Sequence, residues 1–338
     1  MGKGRVTHVI AGAVALGAAL AACGAGPAAV PVHPPTPTTC VTGTATPPVP
    51  LTVTRDGSGW SATVAVCIEG HGPYRFLLDT GAGSSLVDSR LVGQLHLPEV
   101  DPTALAVDVG CTTTTRRAYL GDWSVGGVPL TPQPVSTADV AGFGGPGEPV
   151  GVLGGDVLSR FGAVRIDFRA DRLTVLAPEA RAATSASILT GELSQPPPPL
   201  LVHGTPRAEV SLTVLKTGAS ALAITQTAFG GGSPSPFLVD TGAAVSTITP
   251  AAAHTLHLTG AGRTVRAPDV GCAGSAPDVD SGAWALGPVG IPAQPLVTVT
   301  SAATTANGVM GTVGPDVLSR YGSIVLDYRT ALLWLGAG

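Results

Sequence analysis

The sequence predicts an all-β protein built from two lobes that are copies of one unit. Three observations carry this. Charged residues make up only 12% of the 338-residue chain, while Gly (46) and Pro (31) are abundant. The apolar runs between them are short and rich in Val, Leu, Ile and Thr, which suits strands joined by turns better than long amphipathic helices. Two long stretches of the chain also repeat one another, and the length permits two lobes with a core each.

The N-terminus reads as a targeting segment. Lys3 and Arg5 give a positive start, Val9 to Ala22 an apolar stretch, and Leu20-Ala21-Ala22-Cys23 a small-residue junction. The junction resembles the bacterial lipobox, which implies a signal peptide over 1–22 and a lipid-modified Cys23, the protein being exported and held on the outer face of the cell membrane. The apolar stretch is short for a span, and no later run approaches the ~20 residues a transmembrane helix needs. Loss of 1–22 moves the formal charge from −4 to −6. An acidic balance argues against nucleic acid as a partner.

The repeat sets the organisation. Phe76-Leu-Leu-Asp79-Thr80-Gly81-Ala82 returns as Phe237-Leu-Val-Asp240-Thr241-Gly242-Ala243, 161 residues on. The same shift relates His96 to His257, Val109-Gly110-Cys111 to Val270-Gly271-Cys272, and Trp123 to Trp284. Further on, Gly151 to Gly162 matches Gly311 to Gly322 at a shift of 160, followed by the strands Val164 to Phe168 and Ile324 to Tyr328. Between the copies, 177–206 carries a small-residue run and then Pro196-Pro-Pro-Pro199, the composition of a stiff linker. The expected lobes are therefore 50–176 and 207–338, with 23–49 a Pro/Thr-rich spacer after the anchor.

Each Asp-Thr-Gly-Ala follows a short apolar run, which places Asp79 and Asp240 at strand ends entering tight turns, with Ser85 to Val87 and Thr247-Ile248 expected as the next strands. A buried carboxylate without a cation is costly, and a single lobe offers no partner. Two lobes about a pseudo-twofold axis would bring the carboxyls together. Like charges in contact cannot both ionise, so the pair would share a proton and supply one general base and one general acid.

With these residues the sequence resembles the retropepsin-like (retroviral-type) aspartyl proteases, in particular bacterial members, here as two tandem lobes in one chain. The motifs are apolar-apolar-Asp-Thr-Gly-Ala, then Gly-apolar-apolar-Gly-x-Asp-x-Leu, then a closing Asp-aromatic strand, and they cover nearly all of both lobes. The resemblance implies a bilobal pepsin/retropepsin-like fold of two β-barrel lobes, hydrolysis of peptide bonds by a water activated between Asp79 and Asp240, and no cofactor. It also implies that Leu153-Gly154 and Val313-Gly314 form ψ-shaped loops behind the catalytic turns. Thr80 and Thr241 would bond across the axis, and the Gly81 and Gly242 amides would donate to the carboxylates. Ala82 and Ala243 stand where pepsin-like enzymes carry Ser or Thr. Loss of a hydroxyl bond to the ionised Asp implies activity at less acidic pH than pepsin.

In that family a β-hairpin of each lobe covers the substrate, which here falls on Val107 to Tyr119 and Val265 to Ser281. Besides Cys23, four cysteines remain, an even number that favours disulfides in an exported protein and allows three pairings. If Cys111 and Cys272 lie near the hairpin tips, the axis would bring them together as a flap disulfide. Cys40 and Cys67 would then pair, fastening the spacer to the first strand of lobe 1. His254 and His257 lie three apart in an expected helix without thiol or acidic neighbours, so they are read as a solvated face and no metal is expected. Asp156, Asp316, Asp167 and Asp327 are read as turn and strand residues of the fold.

The functional alternatives are a catalytically silent peptide-binding or cell-envelope interaction protein on the same fold, and a lobe-swapped dimer permitted by the linker. The favoured expectation is a monomer, its lobes paired within one chain, acting on a peptide or protein substrate.

Overall fold

A computed structural model describes residues 40, 48–56, 59–108, 111–139, 147–176, 207–269, 272–299, 304 and 307–336, without the side chains of 56, 59, 101–108, 111–114, 261, 265–269 and 272–275. The leader, Cys23, the linker and residues 109–110 and 270–271 lie outside the described residues.

Lobe 1 runs β1 (Val49–Asp56), β2 (Gly59–Ile68), β3 (His71–Leu78), β4 (Leu86–Asp88), α1 (Ser89–Gln94), β5 (Glu99–Asp108), β6 (Cys111–Leu120), β7 (Trp123–Val125), β8 (Val128–Pro129), β9 (Gln133–Ala138), β10 (Gly151–Leu153), α2 (Gly155–Leu158), β11 (Ala163–Asp167) and β12 (Arg172–Leu176). Lobe 2 repeats the order as β13 (Ala208–Thr217), β14 (Ser220–Phe229), β15 (Ser235–Val239), β16 (Thr247–Ile248), α3 (Pro250–Thr255), β17 (Gly260–Asp269), β18 (Cys272–Asp280), β19 (Trp284–Leu286), β20 (Val289–Ile291), β21 (Pro295–Thr298), β22 (Gly311–Val313), α4 (Pro315–Leu318), β23 (Ser323–Asp327) and β24 (Leu332–Leu335). The architecture is the all-β, bilobal one expected.

Alternation builds the strands. In β2, Trp60, Ala62, Val64, Val66 and Ile68 are buried while the residues between them face outward, the period-2 signature of a strand with one face on a core. Phe76, Leu78, Leu91 and Trp123 fill lobe 1. Phe229, Phe237 and Trp284 fill lobe 2, with the Phe229 and Trp284 rings stacked at 5.3 Å. The short helices are capped locally. The Asp88 carboxylate accepts from Arg90 N (2.8 Å) and the Thr249 hydroxyl from Ala252 N (3.1 Å).

Helix α3 ends at Thr255, so only His254 is helical and the expected placement of both histidines in one helix is corrected. His96 and His257 each take a left-handed φ (50° and 54°) just after α1 and α3. Their repetition marks a helix-ending turn.

Among the described residues, three sheets organise the chain. In lobe 1, β2 and β3 are antiparallel, β10 lies between β3 and β4, and β9 continues the sheet to the hairpin β5–β6. Lobe 2 repeats this with β14, β15, β22, β16, β21 and the hairpin β17–β18, where β21 meets β18 as β9 meets β6. The third sheet joins the lobes in the order β1–β12–β11–β23–β24–β13, all antiparallel. Its centre is β11 against β23, where Ala163 pairs with Asp327 and Asp167 with Ser323. Those two pairs exchange under the repeat, so the pseudo-twofold axis passes through this ladder.

Cys40 and Cys67 form a disulfide with Cα atoms 5.9 Å apart. Cys67 sits on β2, so the bridge fastens the spacer to the second strand of lobe 1 rather than the first, because β1 already begins at Val49. Cys111 and Cys272 open the second strands of their hairpins, paired with Asp108 and Asp269, but their side chains lie outside the described residues. Among the described residues no helix is long and apolar enough to cross a membrane, and no cluster of His, Cys, Asp and Glu could hold a metal.

Candidate active site

Asp79 and Asp240 each leave the end of a buried strand, β3 and β15, still bonded to the next strand. Asp79 N donates to Leu153 O and Asp240 N to Val313 O, both at 3.1 Å. In each lobe the ψ-loop strand, β10 or β22, runs parallel to the strand bearing the Asp and antiparallel to the one after the turn. Leu153, Gly154, Val313 and Gly314 thus lie behind the turns. The glycines are required there. A Cβ on Gly154 would lie 2.7 Å from Ser84 C, and one on Gly314 2.7 Å from Val245 C, too close for any side chain.

Across the axis the turns lock together. The Thr80 hydroxyl donates to Val239 O (2.8 Å) and accepts from Thr241 N (3.1 Å). The Thr241 hydroxyl donates to Leu78 O (2.9 Å) and accepts from Thr80 N (3.1 Å). All four bonds are buried and cross between lobes. Two further bonds, Trp60 N to Ala244 O and Ala221 N to Gly83 O (both 3.2 Å), tie the start of β2 and β14 to the opposite turn.

Each carboxylate is held by one oxygen. Asp79 Oδ1 accepts from Gly81 N (2.8 Å) and Ala82 N (2.9 Å), and Asp240 Oδ1 from Gly242 N and Ala243 N (both 2.9 Å). Both Oδ2 atoms are buried with no partner among the described residues. The carboxyls interact with each other directly. Burial, then the charge of Asp240, holds Asp79 well above the ordinary carboxylate range. Burial pushes Asp240 up to about 6, against the lowering effect of the Ala243 and Gly242 amides. In so close a pair the two titration steps belong to both groups jointly.

An independent comparison gives the family. The family model described as aspartyl protease matches the chain twice, over residues 64–157 and 225–313, together more than half its length. The chain belongs to the aspartyl protease family. No curated protein matched it. Each match carries the Asp-Thr-Gly turn and the ψ-loop of one lobe of this aspartyl protease.

The aspartyl protease site has a supporting layer that sequence reasoning missed. Asp156 Oδ1 accepts from Ser85 N (2.8 Å) and Ser85 Oγ (2.6 Å), and Oδ2 from Gln133 Nε2 (2.7 Å). Ser85 Oγ in turn accepts from Gly154 N (3.0 Å), so the cluster pins the ψ-loop to the segment after the catalytic turn. Lobe 2 repeats it with Asp316, Ser246, Gln294 and Gly314. Ser85 and Ser246, and Gln133 and Gln294, recur at the 161-residue shift, the signal that could have found them. Burial raises both Asp156 and Asp316, while the Ser bonds lower them. Asp167 and Asp327 cap the turns after β11 and β23 by accepting from the following amides, a structural placement.

The twofold is imperfect near the carboxyls. Trp60 packs edge-on against Phe168 at 4.8 Å, where the second copy has Ala221 and Tyr328. The Tyr328 hydroxyl is buried without a partner among the described residues, and burial, then the charge of Asp79, raises its pKa.

Proposed function

We propose that the chain is an aspartic endopeptidase using Asp79 and Asp240 as one catalytic pair. The observation that carries this is the arrangement of the carboxylates: each inner oxygen is fixed by two amides, and each outer oxygen is left without a protein partner. Two such unpartnered oxygens in one buried site suit a shared proton and a bound water. The ionised carboxylate would take a proton from that water as its oxygen attacks the peptide carbonyl carbon, and the protonated one would hydrogen-bond the developing oxyanion and give up its proton. Collapse of the tetrahedral intermediate breaks the C–N bond, with a proton passing to the leaving amine. Thr80 and Thr241 hold both carboxyls in register, and the raised pKa of the pair supports a site that keeps one proton at mildly acidic pH.

The test is cleavage of a mixed peptide library by the 24–338 protein across pH 3 to 8, beside Asp79→Asn and Asp240→Asn. Cleavage abolished by either variant supports the shared pair. A folded wild type that cuts nothing at any pH favours a silent peptide-binding protein.

The same proposal takes 50–176 and 207–338 as the lobes of one monomer and places the protein outside the cell membrane, held by lipid on Cys23. The Cys40–Cys67 bridge supports an oxidising compartment. Mass spectrometry of the mature N-terminus, with Cys23→Ser as control, tests the anchor, and light scattering tests the monomer.

A further inference from the structure

Beside each carboxylate a row of three side chains crosses three strands on the face turned away from the lobe core. In lobe 1, Val152 of β10 is paired with Leu77 of β3 on one side and Leu86 of β4 on the other. Their chain neighbours Phe76, Leu78, Val87 and Leu153 belong to the main core, whereas Leu77, Leu86 and Val152 form a separate cluster with Ala82 and Ala138. Leu77 is two residues before Asp79, and side chains two apart on an extended strand share a face. This row is therefore the wall on the carboxylate's own side of the sheet.

The equivalent row in lobe 2 is Leu238, Thr312 and Thr247, with Thr312 paired to both others. Its neighbours Phe237, Val239, Ile248 and Val313 are again in the core. The two threonine hydroxyls meet at 3.0 Å. That bond consumes one of two O–H groups, so one donor and several lone pairs remain for another partner. On the next strand outward the order inverts, with Ser136 in lobe 1 and Val297 in lobe 2. Within the rows the lobes share the leucine and differ at the other two places, Val152 and Leu86 against Thr312 and Thr247.

We propose that these rows give the protease an asymmetric specificity: a large apolar side chain against Leu77, Val152 and Leu86, and a polar, uncharged acceptor such as Asn, Gln, Ser or Thr against Thr247 and Thr312. This rests on the endopeptidase reading above. The axis passes between the carboxyls, so residues on opposite sides of the scissile bond meet opposite walls. The carboxyls and most of both rows are closed from solvent, so the rows meet a peptide only when the lobes admit one to the dyad. A peptide placing an aliphatic side chain against the threonines would leave their spare O–H without a partner, which a buried site penalises. A charged side chain there would carry a desolvation cost that nothing in the row offsets.

The experiment profiles cleavage sites in a peptide library for wild type, for Thr247→Val/Thr312→Val, and for the reciprocal Leu86→Thr/Val152→Thr. Wild type is expected to prefer apolar on one side of the cut bond and polar uncharged on the other by roughly 10-fold or more in kcat/KM over apolar on both. The first variant should lose that preference, and the reciprocal one should accept polar residues on both sides. Equal wild-type cleavage of doubly apolar bonds, or an unchanged preference in whichever variant folds, overturns the proposal. To separate this from failure of the chemistry, the Asp240→Asn protein is titrated with a matched pair of peptides, apolar/Gln and apolar/Leu, by fluorescence anisotropy. Tighter binding of the Gln peptide supports the rows as specificity walls even without turnover, and equal, reversed or no binding overturns them.

Discussion

Thr80 and Thr241 exchange hydrogen bonds in both directions across 161 residues of chain, each hydroxyl accepting from the other's backbone amide while donating to the strand end that precedes the other's aspartate. The lobes are thereby coupled at the point where the carboxyls meet.

Thr80→Val removes a donor and an acceptor and leaves the Val239 carbonyl and the Thr241 amide buried without partners. Stability should fall by about 1–3 kcal/mol, and kcat should fall with it because the carboxyls lose their mutual register. Thr80→Ser, which keeps the hydroxyl, should recover most of both. Urea unfolding and peptide turnover, measured on the same preparations, check this pair of outcomes.

Gly81 and Gly242 each press on the opposite carboxylate. A Cβ on Gly81 would sit 2.4 Å from Asp240 Cγ, and one on Gly242 2.2 Å from Asp79 Cγ. Gly81→Ala must therefore displace a catalytic group by a sizeable fraction of an ångström. A loss on the order of 100-fold or more in kcat is expected, with far-ultraviolet circular dichroism unchanged. Wild-type turnover by this variant would show that the carboxyls are not held as described.

Asp240 would titrate at its ordinary 3.8 in the unfolded chain and at about 6 in the folded one. Between those values the folded pair keeps a proton that the unfolded chain has lost, so stability falls as pH rises through that window. Asp240→Asn cannot ionise and should be the more stable protein at pH 7, with little difference at pH 3. Thermal unfolding at both values decides it, since equal melting temperatures at pH 7 would contradict the raised titration.

With Ala82 and Ala243 in place, both Oδ2 atoms have no donor among the described residues. Ala82→Ser and Ala243→Ser offer each a hydroxyl that favours the ionised form. The acid limb of the pH–rate profile should move to lower pH in either variant, while the wild-type optimum should lie above about 3, away from the lower values of a pepsin dyad.

Much of this site is legible in the amino-acid sequence because the chain carries it twice. The strand ends, the turns and the ψ-loops around Asp79 and Asp240 follow from motifs whose copies check one another, and the strands Val164 to Phe168 and Ile324 to Tyr328 are legible in the same way. Their pairing into one sheet between lobes is not, since period and composition say which residues form a strand but not which edge it meets. The Ser85, Gln133 and Asp156 cluster is hidden for a related reason. Each is an ordinary polar residue on its own segment, and only packing turns the three into an anchor. Of the three cysteine pairings, the structure displays Cys40 with Cys67.

The sequence alone determined that the protein is two copies of a β unit, each delivering one Asp-Thr-Gly turn at a strand end, because strand alternation and turn chemistry are local and survive duplication. The tertiary structure decided what those turns do to each other, that Thr80 grips Thr241 and that Gly81 abuts Asp240, and that Leu77 pairs with Val152 where Leu238 pairs with Thr312. The first two relationships form across a symmetry axis, where atoms meet through docking of two packed lobes, and no periodicity along the chain encodes that contact.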